Sequence, residues 1–451
     1  MSALIGCIKE IKNNENRVGL TPQGAAELVA DGNKVFIQNG AGVGAGFMDE
    51  EYKAAGATLM ATPEEVVQAS EILVKVKEPI PAEYHLLDMM KGKTLYTYLH
   101  LSAVDKGLTL KLIENNIAAV AYETVEDDKG RLPLLAPMSE VAGVLAVQYG
   151  AEYLQKKYNG RGVTLGFITN TDKSETVVVG GGFVGATAAR TAAGLGGMVT
   201  ILDISEARVE QLKKEFREHL GEKLFQNVRI LKSDEATLKE WVAKADLLVG
   251  AVLIPGTRAP VVVTEQMIRS MKKGSVVVDV SVDQGGCIWG THATTHSEPI
   301  YNIDGVIFCC VANMPGQVSR QSTQALTAAT LPYLKKMAKD GVINSIRVSL
   351  NGDGRFAKGL NAFGGKVTYP SVAKDLDLMG QYRDLREMVG EMAGAVVGRK
   401  ILQNQGINMR SWRNRRDNWI FTNWGCSRLI KFWKRLKIFW GLRKKMAGKR
   451  F

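Results

Sequence analysis

A handful of polar residues sit at the ends of apolar runs, where a folded chain can expose them to a ligand. Arg17 stands in KNNENRVGLTP, and Lys75 and Lys77 stand in KVKEP, two residues apart on one face of an extended segment. They read either as a surface arginine and an edge strand marked by lysines, or as a carboxylate pocket. In the pocket, Arg17 grips the substrate bidentately and Lys77 adds a point charge. His100 follows YTYL. Histidine exchanges protons near neutral pH, although a lone histidine also serves as a satisfied structural group. Asp283 lies in VSVDQGG, just past an apolar run. It is a turn residue before glycines, or a group in the crevice where parallel-sheet proteins bind ligands.

A second constellation is tighter. Gly180, Gly182 and Gly185 form G-x-G-x-x-G between an apolar TVVV and a helical ATAARTAAGL, with VTIL next. The first glycine permits the turn and the second lets a pyrophosphate approach the backbone. The third allows close helix packing, with the phosphate at the helix N-terminus. Asp203 ends the following apolar run, where a carboxylate accepts from ribose hydroxyls and repels a 2′-phosphate. This favours NAD over NADP; the alternative is a glycine-rich turn followed by a surface aspartate.

The elements that must position these residues are α/β throughout. KVFIQNGAG, EILVKVKEP, TLYTYLHLS and IAAVAYETV read as strands. EEYKAAGATLM and TPEEVVQAS read as helices, the second with Thr62 as N-cap and a glutamate three residues on. A long helical pattern from Ser139 to Tyr158 leads into strand, glycine turn, helix and strand. ADLLVGAVL, GSVVVDVSVD and GVIFCCVANMP supply further strands. Continuous apolar strands alternating with helices predict a parallel sheet covered on both faces. A second helix, from about Thr323 to Lys339, returns the chain to the first domain. The expected fold is a Rossmann-type doubly wound NAD domain, residues 139–317, plus a discontinuous α/β substrate domain, residues 1–138 and 318–396, joined by two long helices.

Composition narrows the classes. The 451 residues allow two domains with sizeable cores, and 45% hydrophobic content is ordinary for a globular chain. No apolar run is long enough for a membrane span, and the N-terminus alternates like a strand rather than a signal peptide. Cys7, Cys287, Cys309, Cys310 and Cys426 are scattered and lack metal-ligand spacing, as in a reduced cytoplasmic protein. The net charge of +12 is misleading, because residues 399–451 hold sixteen Lys or Arg against one acid, Asp417. The rest of the chain is therefore mildly acidic, and nothing in it points to nucleic-acid binding.

The segments KNNENRVGLTP, KVKEP, LHLSA, AYETV, LPLLAPMSEVAG, the glycine turn through LDI, GAVLIPG, DVSVDQGGC, CVANMPG and AKGL together resemble alanine dehydrogenases. They span residues 3–375 in order. The superfamily includes the NAD-binding part of proton-pumping transhydrogenases, and DQGG points to the alanine enzymes instead. The resemblance implies reversible oxidation of L-alanine to pyruvate and ammonia with NAD, and a homo-hexamer. Arg17 and Lys77 would hold the carboxylate and carbonyl. His100 would be the acid/base, and Asp283 would orient ammonia or water. Ser139, Phe183, Val184, Asp203, Arg208, Ser233, Val252, Leu253, Val280, Ser281, Val282, Asp283, Val311, Ala312, Asn313 and Met314 would contact the cofactor. Some relatives pair the Glu of AYET, here Glu123, with a histidine shortly after AKGL to hold magnesium. Phe363 stands at that place, so no such metal is expected. Two other readings are a transhydrogenase NAD-binding component and a non-catalytic NAD sensor.

The resemblance ends near residue 397. Residues 397–451 hold five of the seven tryptophans, and Leu429, Phe432, Leu436, Phe439 and Leu442 recur at helical spacing among basic residues. Such a segment reads as a membrane-surface or partner-binding helix, or as a non-native extension.

Overall fold

The computed structural model describes residues 2–252, 254 and 259–391. Leu253 and the tail segment 397–451, singled out above, lie outside the described residues. Among the described residues the first sheet is built from β1 (Leu4–Cys7), β2 (Lys34–Gln38), β3 (Thr58–Met60), β4 (Ile72–Val74), β5 (Thr94–Thr97) and β6 (Ala118–Ala121). The second is built from β7 (Glu175–Val179), β8 (Met198–Asp203), β9 (Val228–Lys232), β10 (Leu247–Gly250), β11 (Val276–Asp279), β12 (Ile300–Ile303) and β13 (Val306–Cys309). The chain then returns, and β14 (Leu360–Phe363) and β15 (Lys366–Val367) extend the first sheet.

Both sheets repeat one topology. The first runs β3-β2-β1-β4-β5-β6 in parallel, then adds β14 and β15 antiparallel. The second runs β9-β8-β7-β10-β11-β13 in parallel, with β12 antiparallel at the edge. Each is therefore a doubly wound sheet whose order reverses beside its first strand. Ligands bind outside the carboxyl ends of the strands at such a reversal. The apolar runs become interior strands because both faces are covered. Val178 and Val249 enter one core of the second sheet, and Val177, Val179 and Leu248 enter the core on its other face. Both sheets belong to one compact unit, Met1–Met388.

The chain crosses between sheets near two long helices, Ala136–Tyr153 and Ser319–Asp340. The first starts earlier than its apolar pattern, with Pro137 in its opening turn, and stops at Tyr153 rather than Tyr158. EEYKAAGATLM is not one helix. The helix covers Asp49–Ala54, Gly56 turns the chain at φ +82°, and Thr58–Met60 pairs with β2. TPEEVVQAS does form a helix, and Thr62 Oγ1 accepts from the Glu65 amide. The edge-strand reading of the lysines also fails, because β4 lies between β1 and β5 and both side chains are buried. No described helix is long and apolar enough to cross a membrane.

Candidate active site

The carboxyl ends of the two sheets meet at a cavity of about 590 Å³. Its wall includes Arg17, Lys77 and His100, which follow β1, β4 and β5 of the first sheet. Asp283 and Val311, Asn313 and Met314 come from the turns after β11 and β13 of the second. Residues scattered over nearly 300 positions thus converge on one space because each lies in a connection that leaves the carboxyl end of a parallel strand.

The two lysines of KVKEP part company. Lys75 is sealed in the interior, with Nζ 3.1 Å from Glu10 Oε2 and 2.7 Å from Glu83 Oε1. Lys77 lies in the cavity wall, and its carbonyl accepts from Thr97 Oγ1 at 3.1 Å. Glu78, beside it, pairs with Lys12. Burial pushes the Glu78 carboxyl up, but Lys77, His100 and Lys12 together hold it below its usual range.

His100 stands on a strained turn at φ +47°, a conformation uncommon outside glycine. The Glu123 carboxylate holds it there. Glu123 Oε1 accepts from the His100 amide at 2.6 Å, and both its oxygens lie 3.2 Å from the Leu99 amide. The imidazole stacks on Tyr98, with centroids 5.5 Å apart and planes 5° apart, and Tyr98 Oη donates to the Leu134 carbonyl. Burial lowers the proton affinity of His100, opposed by Glu123 and reinforced by Lys77, so the ring is neutral near pH 7. Among the described residues no cluster of three His, Cys, Asp or Glu could hold a metal, and Phe363 lies on β14.

Arg17 is almost wholly buried, and its fork already holds a carboxylate. Nε donates to Glu15 Oε1 at 2.7 Å and Nη2 donates to Glu15 Oε2. Nη2 also donates to Asn313 Oδ1 at 2.8 Å, and Nη1 points at Met138 Sδ at 2.9 Å. Of the five guanidinium N–H groups this leaves one, on Nη1, for a ligand. Burial pushes the Glu15 carboxyl up, but the charge and hydrogen bonds of Arg17 hold it at about 2.

Asp283 belongs to a turn, Val280–Gln284, that hangs from Asp279. The fully buried Asp279 carboxylate accepts from the amides of Ser281, Cys287 and Ile288 at 2.8–3.1 Å and from Thr291 Oγ1 at 2.9 Å. The sequence pointed to Asp283 and passed over Asp279, Glu15 and the hold that Glu123 has on His100. Asp279 alone carried a signal, as an acid closing an apolar strand. Glu15 had none, because its partners are 2 and 298 residues away.

The glycine turn follows β7 and opens the helix Phe183–Gly194. Gly180 has φ +99°, and a Cβ there would stand 2.6 Å from the Ala251 carbonyl oxygen. A Cβ at Gly185 would stand 1.8 Å from the Gly180 oxygen, so the helix can close on the turn only with glycine. At Gly182 a Cβ would meet nothing within 4 Å, which leaves open space above the first helical amides, where a phosphate fits. Asp203 closes β8, and its carboxylate accepts from the Gly181 amide at 2.7 Å and the Ser205 amide at 2.8 Å. Arg208 Nε donates to the Gly181 carbonyl at 2.8 Å, and the Ser233 amide donates to the Asp203 carbonyl. Ser281 Oγ donates to the Val252 carbonyl at 2.8 Å. Ser139, Val184, Val280 and Ser281 line the large cavity; Phe183, Val282 and Ala312 adjoin these residues in the chain without being part of that wall.

Two family models match nearly the whole described chain: "Alanine dehydrogenase/PNT, N-terminal domain" over residues 6–142, and "Alanine dehydrogenase/PNT, C-terminal domain" over residues 146–370. The chain belongs to the alanine dehydrogenase/PNT family. Within this family it is 48% identical over 376 residues to the alanine dehydrogenase of Methanococcus maripaludis, covering 83% of this chain and 97% of the relative. It is 45% identical to that of Bacillus subtilis, covering 83% and 94%. A solved L-alanine dehydrogenase matches with TM-score 0.75 at 45% identity, over 83% of this chain and 99% of that one. A transhydrogenase from Sinorhizobium meliloti matches with TM-score 0.67 at 23% identity, over 81% and 99%, a likeness of fold.

Proposed function

We propose that this chain is an NAD-dependent L-alanine dehydrogenase that interconverts L-alanine with pyruvate and ammonia. The observation that carries the reading is the convergence of Arg17, Lys77, His100 and Asp283 on one cavity that Val184, in the first turn of the helix after the glycine turn, also lines. The open space at Gly182, the helix N-terminus and the Asp203 carboxylate beside the Gly181 amide suit a dinucleotide. NAD, when bound, supplies the hydride acceptor.

The residues of the chain do the rest. Lys77 and the remaining Nη1 N–H of Arg17 fix the substrate carboxylate. His100, neutral through burial, takes the proton from water adding to the substrate iminium, and returns it in the reverse direction. Asp283 faces the developing cation of the substrate nitrogen and orients ammonia. Holding these groups before reaction removes orientation entropy from the barrier. Residues 1–138 with 318–396, and residues 139–317, act as substrate and nucleotide domains that close on each other and exclude water. A cytoplasmic setting accords with four free, buried cysteines among the described residues. A homo-hexamer rests on family resemblance, and light scattering of the purified protein tests it. Residues 399–451 bind anionic lipid if they form a basic amphipathic helix; equal sedimentation with liposomes after their removal would exclude that.

The deciding assay is absorbance at 340 nm with L-alanine and NAD at alkaline pH, on the full chain and on the chain ended at residue 398. Growth of absorbance in either supports the enzyme. Silence in both with NAD bound overturns it in favour of a transhydrogenase component or a nucleotide sensor.

A further inference from the structure

Glu15 takes no part in the chemistry above, yet its carboxylate is fully buried at the centre of an ionic network that joins the two sheets. Its carboxylate accepts from the Arg17 amide at 3.0 Å, from Nε at 2.7 Å and from Nη2. Asn313, from the turn after β13, closes the triangle. Its Nδ2 donates to Glu15 Oε2 at 2.9 Å and its Oδ1 accepts from Arg17 Nη2 at 2.8 Å. The backbones are equally close, because a Cβ on Gly316 would stand 2.7 Å from the Asn14 carbonyl oxygen. Asn313 holds φ +56°, a conformation that asparagine tolerates better than most residues.

We propose that Glu15 is a positioning residue for the substrate carboxylate, and that with Asn313 it couples the nucleotide-side turn to Arg17. The proposal rests on the substrate role of Arg17 given above. Two of the three edges of the guanidinium are taken by Glu15 and Asn313, so these two residues set where the last Nη1 N–H points. When a nucleotide seats the turn of Val311, Asn313 and Met314, the Asn313 bonds are strengthened and Arg17 is held ready. By linkage, a carboxylate bound at Arg17 tightens the nucleotide by the same factor. When the turn withdraws, Arg17 keeps Glu15 alone and loses its fixed direction.

The test is fluorescence titration of the full chain with NADH, without and with saturating oxamate, a non-reacting analogue of pyruvate. The ratio of the two dissociation constants measures the coupling, and any loss of nucleotide affinity common to both cancels. The expected ratio in the unaltered protein is on the order of tenfold. Glu15→Gln keeps the shape and removes the charge, and should bring the ratio close to one; Glu15→Asp should recover part of it. If Glu15→Gln does not fold, Asn313→Gly decides, since it keeps the positive φ and the Glu15–Arg17 pair while deleting the bridge. A ratio of one in the unaltered protein, or an undiminished ratio in the variants, overturns the proposal. A purely structural role would weaken both titrations equally and leave the ratio intact, which also overturns it. A large ratio in a protein inactive toward L-alanine would refute the proposed reaction and keep the coupling.

Discussion

Replacing Glu123 by glutamine tests the backbone on which His100 stands. The carboxylate holds the His100 amide at 2.6 Å and the Leu99 amide at 3.2 Å, on a turn with φ +47°. A hydrogen bond to a charged group contributes about 1.5–3 kcal/mol, and a left-handed non-glycine residue costs about 1–3 kcal/mol. The two terms are of one size, so the turn persists only while the carboxylate grips it. An amide keeps one acceptor oxygen but loses the charge, a deficit of about 2 kcal/mol. At 1.36 kcal/mol per factor of ten, the population with His100 in place falls by up to roughly 30-fold. The assay is kcat for NADH oxidation with pyruvate and ammonia, beside NADH affinity by fluorescence. We expect kcat to fall by about that factor with nucleotide affinity little altered. The negative charge of Glu123 also supports the proton on His100, and in this direction His100 must carry the proton it returns, so the alkaline limb of the rate profile should move to lower pH. An unchanged kcat with an unchanged profile would refute the reasoning.

Burial lowers the pKa of His100 below its ordinary 6.5, so the acid limb of kcat/KM for L-alanine should lie below that pH and vanish in His100→Ala; a limb above it would exclude His100 as the base. The same shift means that the folded chain binds fewer protons than the unfolded one as pH drops from 6.5 to the depressed value. Stability should therefore decline across that window and not above it, as chemical denaturation at several pH values would show. Lys75→Met leaves Glu10 and Glu83 buried without their cation, a loss of about 3–5 kcal/mol. Burial already raises the Glu10 pKa, so the loss in denaturant midpoint should shrink at pH 5 relative to pH 8; equal losses would contradict the pairing. Asp203→Ala frees the Gly181 and Ser205 amides, and should weaken NAD while admitting NADP; an unaltered ratio of their kcat/KM values would remove Asp203 from the ribose site.

Much of the fold was legible because its signals are short in range. Apolar runs of four or five residues with helices between them specify parallel strands covered on both faces, and Thr62 with Glu65 marks a helix start within one turn. The ATLM strand was missed because it is only three residues long, and its pairing with β2 outweighs the helical pattern before Gly56. Lys75 and Lys77 share a face in an ideal strand, but β4 ends at Val74, so the strand period does not govern them. Asp283 was found through its motif, while Asp279, which suspends the whole turn, looked like one more acid at a strand end.

The sequence by itself determined the dinucleotide turn. Gly180 turns the chain at φ +99° and a Cβ on Gly185 would strike the Gly180 oxygen, and such steric limits are written in neighbouring residues. It also determined which residue types were on offer for an oxo acid and an amine. Tertiary structure alone decided what each would touch. It sealed Lys75 against Glu10 and Glu83 and brought Lys77 to the cavity. It also filled most of the Arg17 fork with Glu15 and Asn313, so the open bidentate grip read from the sequence is reduced to one N–H. The reason is distance along the chain. A guanidinium binds whichever carboxylate and amide the fold delivers to it, and Asn313 arrives from 296 residues away by way of a second sheet.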